Sequence, residues 1–369
     1  MTARPVLSAA MIVRNEERFL TECLTSIAPV VDEIVIVDTG STDSSIAIAE
    51  AHGARVLHRE WDGDFAAARN AALDAASGEW ILYIDADERL RPVDSDRLHE
   101  MLRTADEVAF TVVFHPFVDS TPYYECRLWR SDPRIRFDGV IHEKHTAAVA
   151  AVSEADGRPV SRCDSVVIDH VGYEGDLTAK HHRNIPLLEA QLAVEPDNIF
   201  NWTDLGRAWA GLGEYDKAEE ALERAVSLER AHPDATDQGV GAYAEMARVR
   251  RAAGRDVGDV VAEGLARFAG NWVLVWFKGQ IDLEAERYEE AAVSFRRLLA
   301  VDPRNLALIG VAYDARIFGL LSQASLGLAC FRLGRFAEAG EAYAAAEELE
   351  PDNPEWMVKR RLAEARARD

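Results

Sequence analysis

Between residues 6 and 84, short apolar runs alternate with amphipathic segments, and this alternation most limits the folds open to the chain. Val6–Val13, Glu33–Val37, Arg55–Leu57 and Trp80–Ile84 have the length and composition of strands. Between them, Glu16–Ile27 places Phe19, Leu20, Cys23, Leu24 and Ile27 on one helical face. A second helix runs to about His52, and Asp64–Ala76 is an Ala-rich third. A βαβαβαβ order requires a parallel sheet with helices on both faces. Such sheets bind ligands beyond the carboxyl ends of their strands. Arg14, Asp38 and Asp85 all stand at those ends and are expected to line one crevice.

The run Trp80–Tyr83 leads into Ile84-Asp85-Ala86-Asp87-Glu88. Residues two apart on a strand share a face, so Asp85 and Asp87 are expected to converge on one divalent cation. Hard oxygen ligands with few protein donors suit Mg²⁺ or Mn²⁺, with substrate phosphates completing the shell. Ala86 leaves room for a ligand. Asp38-Thr39-Gly40-Ser41-Thr42-Asp43 opens the second helix. Ser41, Thr42 and Asp43 read as cap residues. Asp38 ends an apolar strand, where a carboxylate needs a partner; a nucleobase N–H or a ribose hydroxyl would serve. No Gly-x-Gly-x-x-Gly follows the first strand and no Gly-Lys-Ser/Thr follows any strand, which disfavours dinucleotide and P-loop folds.

Glu107–His115 and Tyr123–Arg130 read as a strand pair, and Val166–Tyr173 as the closing strand. From about His181 the pattern becomes helical and repeats. Trp202, Leu205, Gly206, Gly213, Tyr215, Ala218 and Leu222 fit the tetratricopeptide pattern. Gly279, Tyr288, Ala291, Phe295 and Pro303 fit it again, as do Gly327, Gly334, Phe336, Ala339, Tyr343 and Pro351. Ala242–Phe268 reads as a degenerate copy. Pro196-Asp197-Asn198, Pro303-Arg304-Asn305 and Pro351-Asp352-Asn353 punctuate helix ends. Stacked repeats form a superhelix with a concave face, which serves as a buttress, a homodimer surface or a peptide groove. Trp272, Trp276 and Phe277 are read as packing residues. The expected organisation is an α/β domain over 1–178 and an all-α repeat domain over 179–369.

A net charge of −23 argues against nucleic-acid or anionic-membrane binding. The four cysteines are scattered, with no Cys-x-x-Cys, as in a reducing compartment. No apolar run reaches membrane-spanning length. A cytoplasmic protein is the expectation.

Four motifs carry a resemblance. Met11-Ile12-Val13-Arg14-Asn15-Glu16-Glu17, Asp38-Thr39-Gly40-Ser41-Thr42-Asp43, Asp64-Phe65-Ala66-Ala67-Ala68-Arg69-Asn70 and Asp85-Ala86-Asp87-Glu88, in this order, resemble family 2 glycosyltransferases of the GT-A fold. The resemblance implies a nucleotide-sugar donor, usually UDP-linked, and inversion at the anomeric carbon. It implies a donor pocket built from Ile12, Arg14, Glu16, Asp38, Asp64, Arg69, Asp85 and Ala86, with Asp38 on the base. It implies a metal held by Asp87 and Asp85, with His170 as a third ligand. Arg127-Leu128-Trp129-Arg130 followed by Phe137-Asp138-Gly139-Val140-Ile141-His142-Glu143 is similar to bacterial enzymes that glycosylate lipopolysaccharide cores or peptides. Inverting transfer needs a base, and Glu143, Asp138 and His142 are the candidates. The repeats would then position a peptide or protein acceptor. A scaffold with a nucleotide-sensing, non-catalytic first domain is the alternative from another class. A nucleotidyltransferase fits poorly, since Arg14-Asn15-Glu16-Glu17 replaces the Gly-rich basic loop it would need.

Overall fold

The computed structural model describes residues 4–172, 177–231, 240–309 and 311–368. The chain divides into two compact units, residues 1–175 with 306–312, and residues 176–305 with 313–369.

The first unit runs β1 (Leu7–Val13), α1 (Glu17–Ile27), β2 (Glu33–Asp38), α2 (Ser45–Ala51), β3 (Arg55–His58), α3 (Phe65–Ala75), β4 (Trp80–Tyr83), β5 (Glu88–Leu90), α4 (Ser95–Thr104), β6 (Ala109–His115), β7 (Tyr123–Arg130), α5 (Thr146–Asp156) and β8 (Val160–His170). Among the described residues, eight strands form one sheet in the order β3-β2-β1-β4-β7-β6-β8-β5. The first four pair in parallel, with Val13 beside Asp38 and Asp38 beside His58. Their carboxyl ends therefore share one edge. β7 turns the sheet antiparallel to β4, and β6 is parallel to β8. This is the mostly parallel α/β domain expected. The predicted face of α1 is buried at Leu20, Cys23, Leu24 and Ile27. Asp64 caps α3 by accepting from the Ala67 N–H at 2.9 Å. Ala66, Ala68 and Ala72 are buried, as a helix lying close to its sheet requires.

Three expectations change. β4 stops at Tyr83, so Asp85–Asp87 forms the turn into β5 and the alternation that would aim both aspartates one way does not apply. β5, α4 and α5 are elements beyond those expected. The closing strand starts at Val160 and ends at His170, and Tyr173 lies outside the described residues.

The second unit is helical: α6 (Thr178–Val194), then the pairs α7 (Ile199–Gly211) with α8 (Tyr215–Ala231), α9 (Val240–Ala252) with α10 (Gly258–Arg267), α11 (Trp272–Glu284) with α12 (Tyr288–Leu299), α13 (Leu320–Arg332) with α14 (Phe336–Leu349), and a final α15 (Pro354–Arg366). The repeat pattern has a steric basis. A Cβ on Gly206, Gly279 or Gly327 would come within 2.5, 2.7 and 2.7 Å of Leu222, Phe295 and Tyr343 respectively, so these glycines let each pair close. Two of the three Pro-x-Asn punctuations start helices. Asn198 and Asn353 cap α7 and α15 by accepting from Asn201 and Glu355 N–H groups. Two 3₁₀ segments, Pro303–Ile309 and Ala315–Phe318, form the irregular spacing before α13. Phe277 is buried, while Trp276 packs on Phe295 and Trp272 on Phe318, as packing residues do.

Gly213 and Gly334 take left-handed conformations seven residues after Gly206 and Gly327; at the matching place after Gly279 stands exposed Glu286, at φ 58°. A side chain there costs roughly 1–2 kcal/mol, partly offset by the greater unfolded-state freedom of glycine. Glu286→Gly is therefore expected to stabilise the repeat unit by up to about 1 kcal/mol, read as a rise in its urea midpoint; a fall would contradict this account of the turn.

Candidate active site

The first wall of the site is a clasp between two loops at the carboxyl edge. Asn15, in a left-handed conformation at φ 56°, accepts from the Thr42 N–H at 2.8 Å, and its own N–H donates to Ser41 Oγ at 3.0 Å. Glu16 N–H donates to Ser45 Oγ at 2.7 Å and Glu17 N–H to Asp43 at 3.1 Å. In return, Glu17 accepts from the Ser44 N–H. The buried Asp38 carboxylate accepts from the N–H groups of Gly40 and Ser41 at 3.1 Å, with His58 Nδ1 at 3.6 Å. The α1 and α2 entry loops are thus one hydrogen-bonded unit.

The centre is Arg69, which α3 carries across the carboxyl end of β4. Its guanidinium is bidentate to Asp85, at 2.8 and 3.2 Å, and its Nε donates to Glu143. It lies 4.3 Å over the Tyr83 ring and 5.6 Å over Phe137. Tyr83 Oη donates to Asp85 at 3.0 Å. Burial pushes the Tyr83 phenol well above its usual range, which keeps it a donor at neutral pH. Burial alone would also raise Asp85, but the Arg69 charge and hydrogen bonds outweigh it and hold that carboxyl down at about 2. Beside them, His145 is pushed down to about 4 by burial and by Arg127, so it is a neutral ring packed on Trp129.

Glu143 reaches Arg69 from a loop closed by reciprocal backbone bonds between Asp138 and Lys144, at 3.0 and 2.9 Å. Gly139 at φ 102° and His142 at φ 53° make its tight bends, and a non-glycine there is strained. Asn70 fixes the loop's entry through both polar atoms of its amide, each 2.9 Å from the Phe137 backbone.

Asp87 points elsewhere. The pairing of β5 with β8 sets Glu88 opposite His170, and His170 Nε2 lies 3.1 Å from Asp87 Oδ2. A Cβ on Gly172 would fall 1.9 Å from that oxygen, so the Asp87 carboxylate needs glycine there.

Residues 8–153 match the family model described as glycosyl transferase family 2, and residues 201–232 and 322–353 match a tetratricopeptide repeat model. The first unit carries a family 2 glycosyltransferase domain. A TPR repeat-containing protein of Synechococcus elongatus is 35% identical over 62% of this chain and 58% of its own length. The SPbeta prophage-derived glycosyltransferase SunS of Bacillus subtilis is 27% identical over 59% of this chain and 52% of its own. The lipopolysaccharide core biosynthesis glycosyltransferase LpsC of Rhizobium meliloti is 37% identical over 30% of this chain and 43% of its own. The chain thus spans little more than half the length of the first two.

Within the first unit, the structure gathers Arg69, Asp85 and Glu143 into one cluster and joins Asp87 to His170. Asp85 is not aimed at a shared cation with Asp87, because Arg69 and Tyr83 take its carboxylate. Asp38 finds its partners in its own loop, so the argument that it lacks one does not hold. Asp64 serves as the α3 cap. Ile12 lines a small void beside Arg69 and Tyr83, Ala86 is buried, and Arg14 is exposed beside the loop clasp, with Glu16 half-buried. Asp138 is exposed at the loop edge. Glu88, Arg127, Tyr83 and Gly172 were missed. A charged residue inside Cys126-Arg127-Leu128-Trp129 was the available signal, since an Arg in a buried strand needs a carboxylate. Among the described residues, no helix is long and apolar enough to cross a membrane.

Arg69→Met would leave Asp85 and Glu143 without their cation. Removing one partner of a buried pair costs about 3–5 kcal/mol, and the low end is expected because Asp85 keeps 27% of its side chain exposed. In the native chain, the depressed Asp85 contributes stability in full above the unfolded value of about 4 and loses it as pH falls toward 2. Urea unfolding across that range should show this loss in the native chain, and Arg69→Met should be destabilised already at pH 7. Equal midpoints at pH 7 would remove Arg69 from the centre of the cluster.

Proposed function

We propose that the protein is an inverting, divalent-metal-dependent glycosyltransferase that moves a sugar from a nucleotide diphosphate, with UDP as carrier, to a peptide or protein side chain. The observation that carries this reading is the pairing of Asp87 with His170 beside the Arg69–Asp85–Glu143 cluster, in a domain that matches family 2. The Asp87 carboxylate suits Mg²⁺ or Mn²⁺, and the imidazole beside it favours Mn²⁺, the softer of the two, with diphosphate and water completing the shell. Asp87 and His170 would hold the ion, which when bound neutralises the leaving diphosphate. Asp85 acts on the donor while restrained by Arg69. The ordered loop from Asp38 to Asp43 borders the base.

Of the three base candidates, Glu143 shares the Arg69 cluster and is the one we assign. Its carboxylate takes the proton of the acceptor hydroxyl or thiol as that atom attacks the anomeric carbon. The bond from that carbon to the diphosphate breaks on the opposite side, which inverts the centre. The repeat unit supplies the face that receives the acceptor.

Release of UDP from a panel of UDP-sugars, with peptide acceptors, tests this reading. Asp87→Ala, or excess chelator on the native chain, is expected to cut turnover at least about a hundredfold, in line with the several kcal/mol a metal contributes, while unfolding stays unchanged. Full turnover in either case would sink the metal assignment.

A further inference from the structure

Asp85 is held at every polar group it has. Its carboxylate is taken by Arg69 and Tyr83, its carbonyl accepts from Cys23 Sγ at 3.3 Å, and its N–H donates to Glu88 Oε2 at 2.8 Å. Glu88 is 1% exposed. Its two oxygens accept from Arg127 at 2.9 and 3.3 Å. Arg127 is 4% exposed, reaches Glu125 at 3.2 Å, and lies 4.2 Å over Tyr83 and 4.7 Å over Phe114. Tyr83 thus receives a guanidinium from each of Arg69 and Arg127. Two buried arginines share one ring, and each ends on a carboxylate that touches the Asp85–Asp87 turn.

We infer that Arg127 and Glu88 are positioning residues for the donor: Arg127 orients the Glu88 carboxylate, and Glu88 fixes the turn that presents Asp85 and Asp87 by holding the Asp85 N–H. This rests on the reading of that turn as the nucleotide-sugar site. A buried ion pair gives little net stability compared with well-packed apolar residues. What the fork of Arg127 supplies is direction, because a planar guanidinium constrains both oxygens of Glu88 at once. With one oxygen committed to the Asp85 N–H, the turn loses the freedom to rotate that donor away. The cost of ordering the turn is then met on folding rather than on binding.

Glu88→Gln tests the chain of contacts at constant shape. The amide keeps one acceptor but meets three N–H donors with an NH₂ group of its own, so one contact must break. Calorimetry with UDP and Mn²⁺ is expected to show at least a tenfold loss of affinity in Glu88→Gln and in Arg127→Met. Arg127→Lys should recover part of the loss. The double variant Arg127→Met/Glu88→Gln should lose no more than the worse single variant, since both act on one N–H. Should Arg127→Met fail to fold, Glu88→Gln and Tyr83→Phe, which removes the hydroxyl bond to Asp85, carry the test. Native affinity in Glu88→Gln, or losses that add in the double variant, would overturn the inference. If the native chain binds none of UDP, GDP and dTDP, the reading of the site itself is wrong and the inference falls with it.

Discussion

The Arg69 guanidinium ties together three segments that are far apart in sequence. α3 supplies it, the β4–β5 turn brings Asp85 to it, and the loop closed at Asp138 and Lys144 brings Glu143. Buried cations without carboxylates are costly, and so are buried carboxylates without cations. Each segment therefore has one place where its charge is matched. The parallel strands put these charges at a common edge, and Arg69 converts that nearness into fixed geometry. The electrostatics divide the labour. Arg69 keeps Asp85 ionised, burial pushes Glu88 upward while Arg127 pulls it back, and His145 stays neutral. The cluster thus combines two permanent cations with acids whose environments differ widely.

Much of this was written in local sequence, and the rest depends on partners remote in the chain. The strands and helices up to Tyr83 follow from hydrophobic period and turn chemistry, which act over a few residues. The Asp38 loop, Asp64 and Arg69 stand out through their motifs. The sequence could not reveal that Asp85 would be spent on Arg69, because that contact spans sixteen residues and a crossover. Nor could it place Asp87 against His170, since β5 has three residues and no period to read. α4 carries a helical period of its own, with Leu98 and Leu102 buried on one face. Gly172 shows its purpose only when the oxygen that would collide with its Cβ is known.

The repeat unit obeys a simpler rule. In three of the four helix pairs a glycine on the first helix faces a large side chain sixteen positions later, at Gly206, Gly279 and Gly327. Because both partners lie within one repeat, the pattern is legible from sequence alone. The α/β unit is the opposite case, where the contacts that matter most join distant segments.

The central claim is that the Asp87–His170 pair and the Arg69-anchored turn together form a metal-dependent nucleotide site. Calorimetric titration of the full chain with UDP, first with Mn²⁺ and then after chelation, tests it most directly. Saturable binding with Mn²⁺ that chelation removes is the predicted result. Equally tight binding without metal, or no binding of UDP with it, would contradict the account.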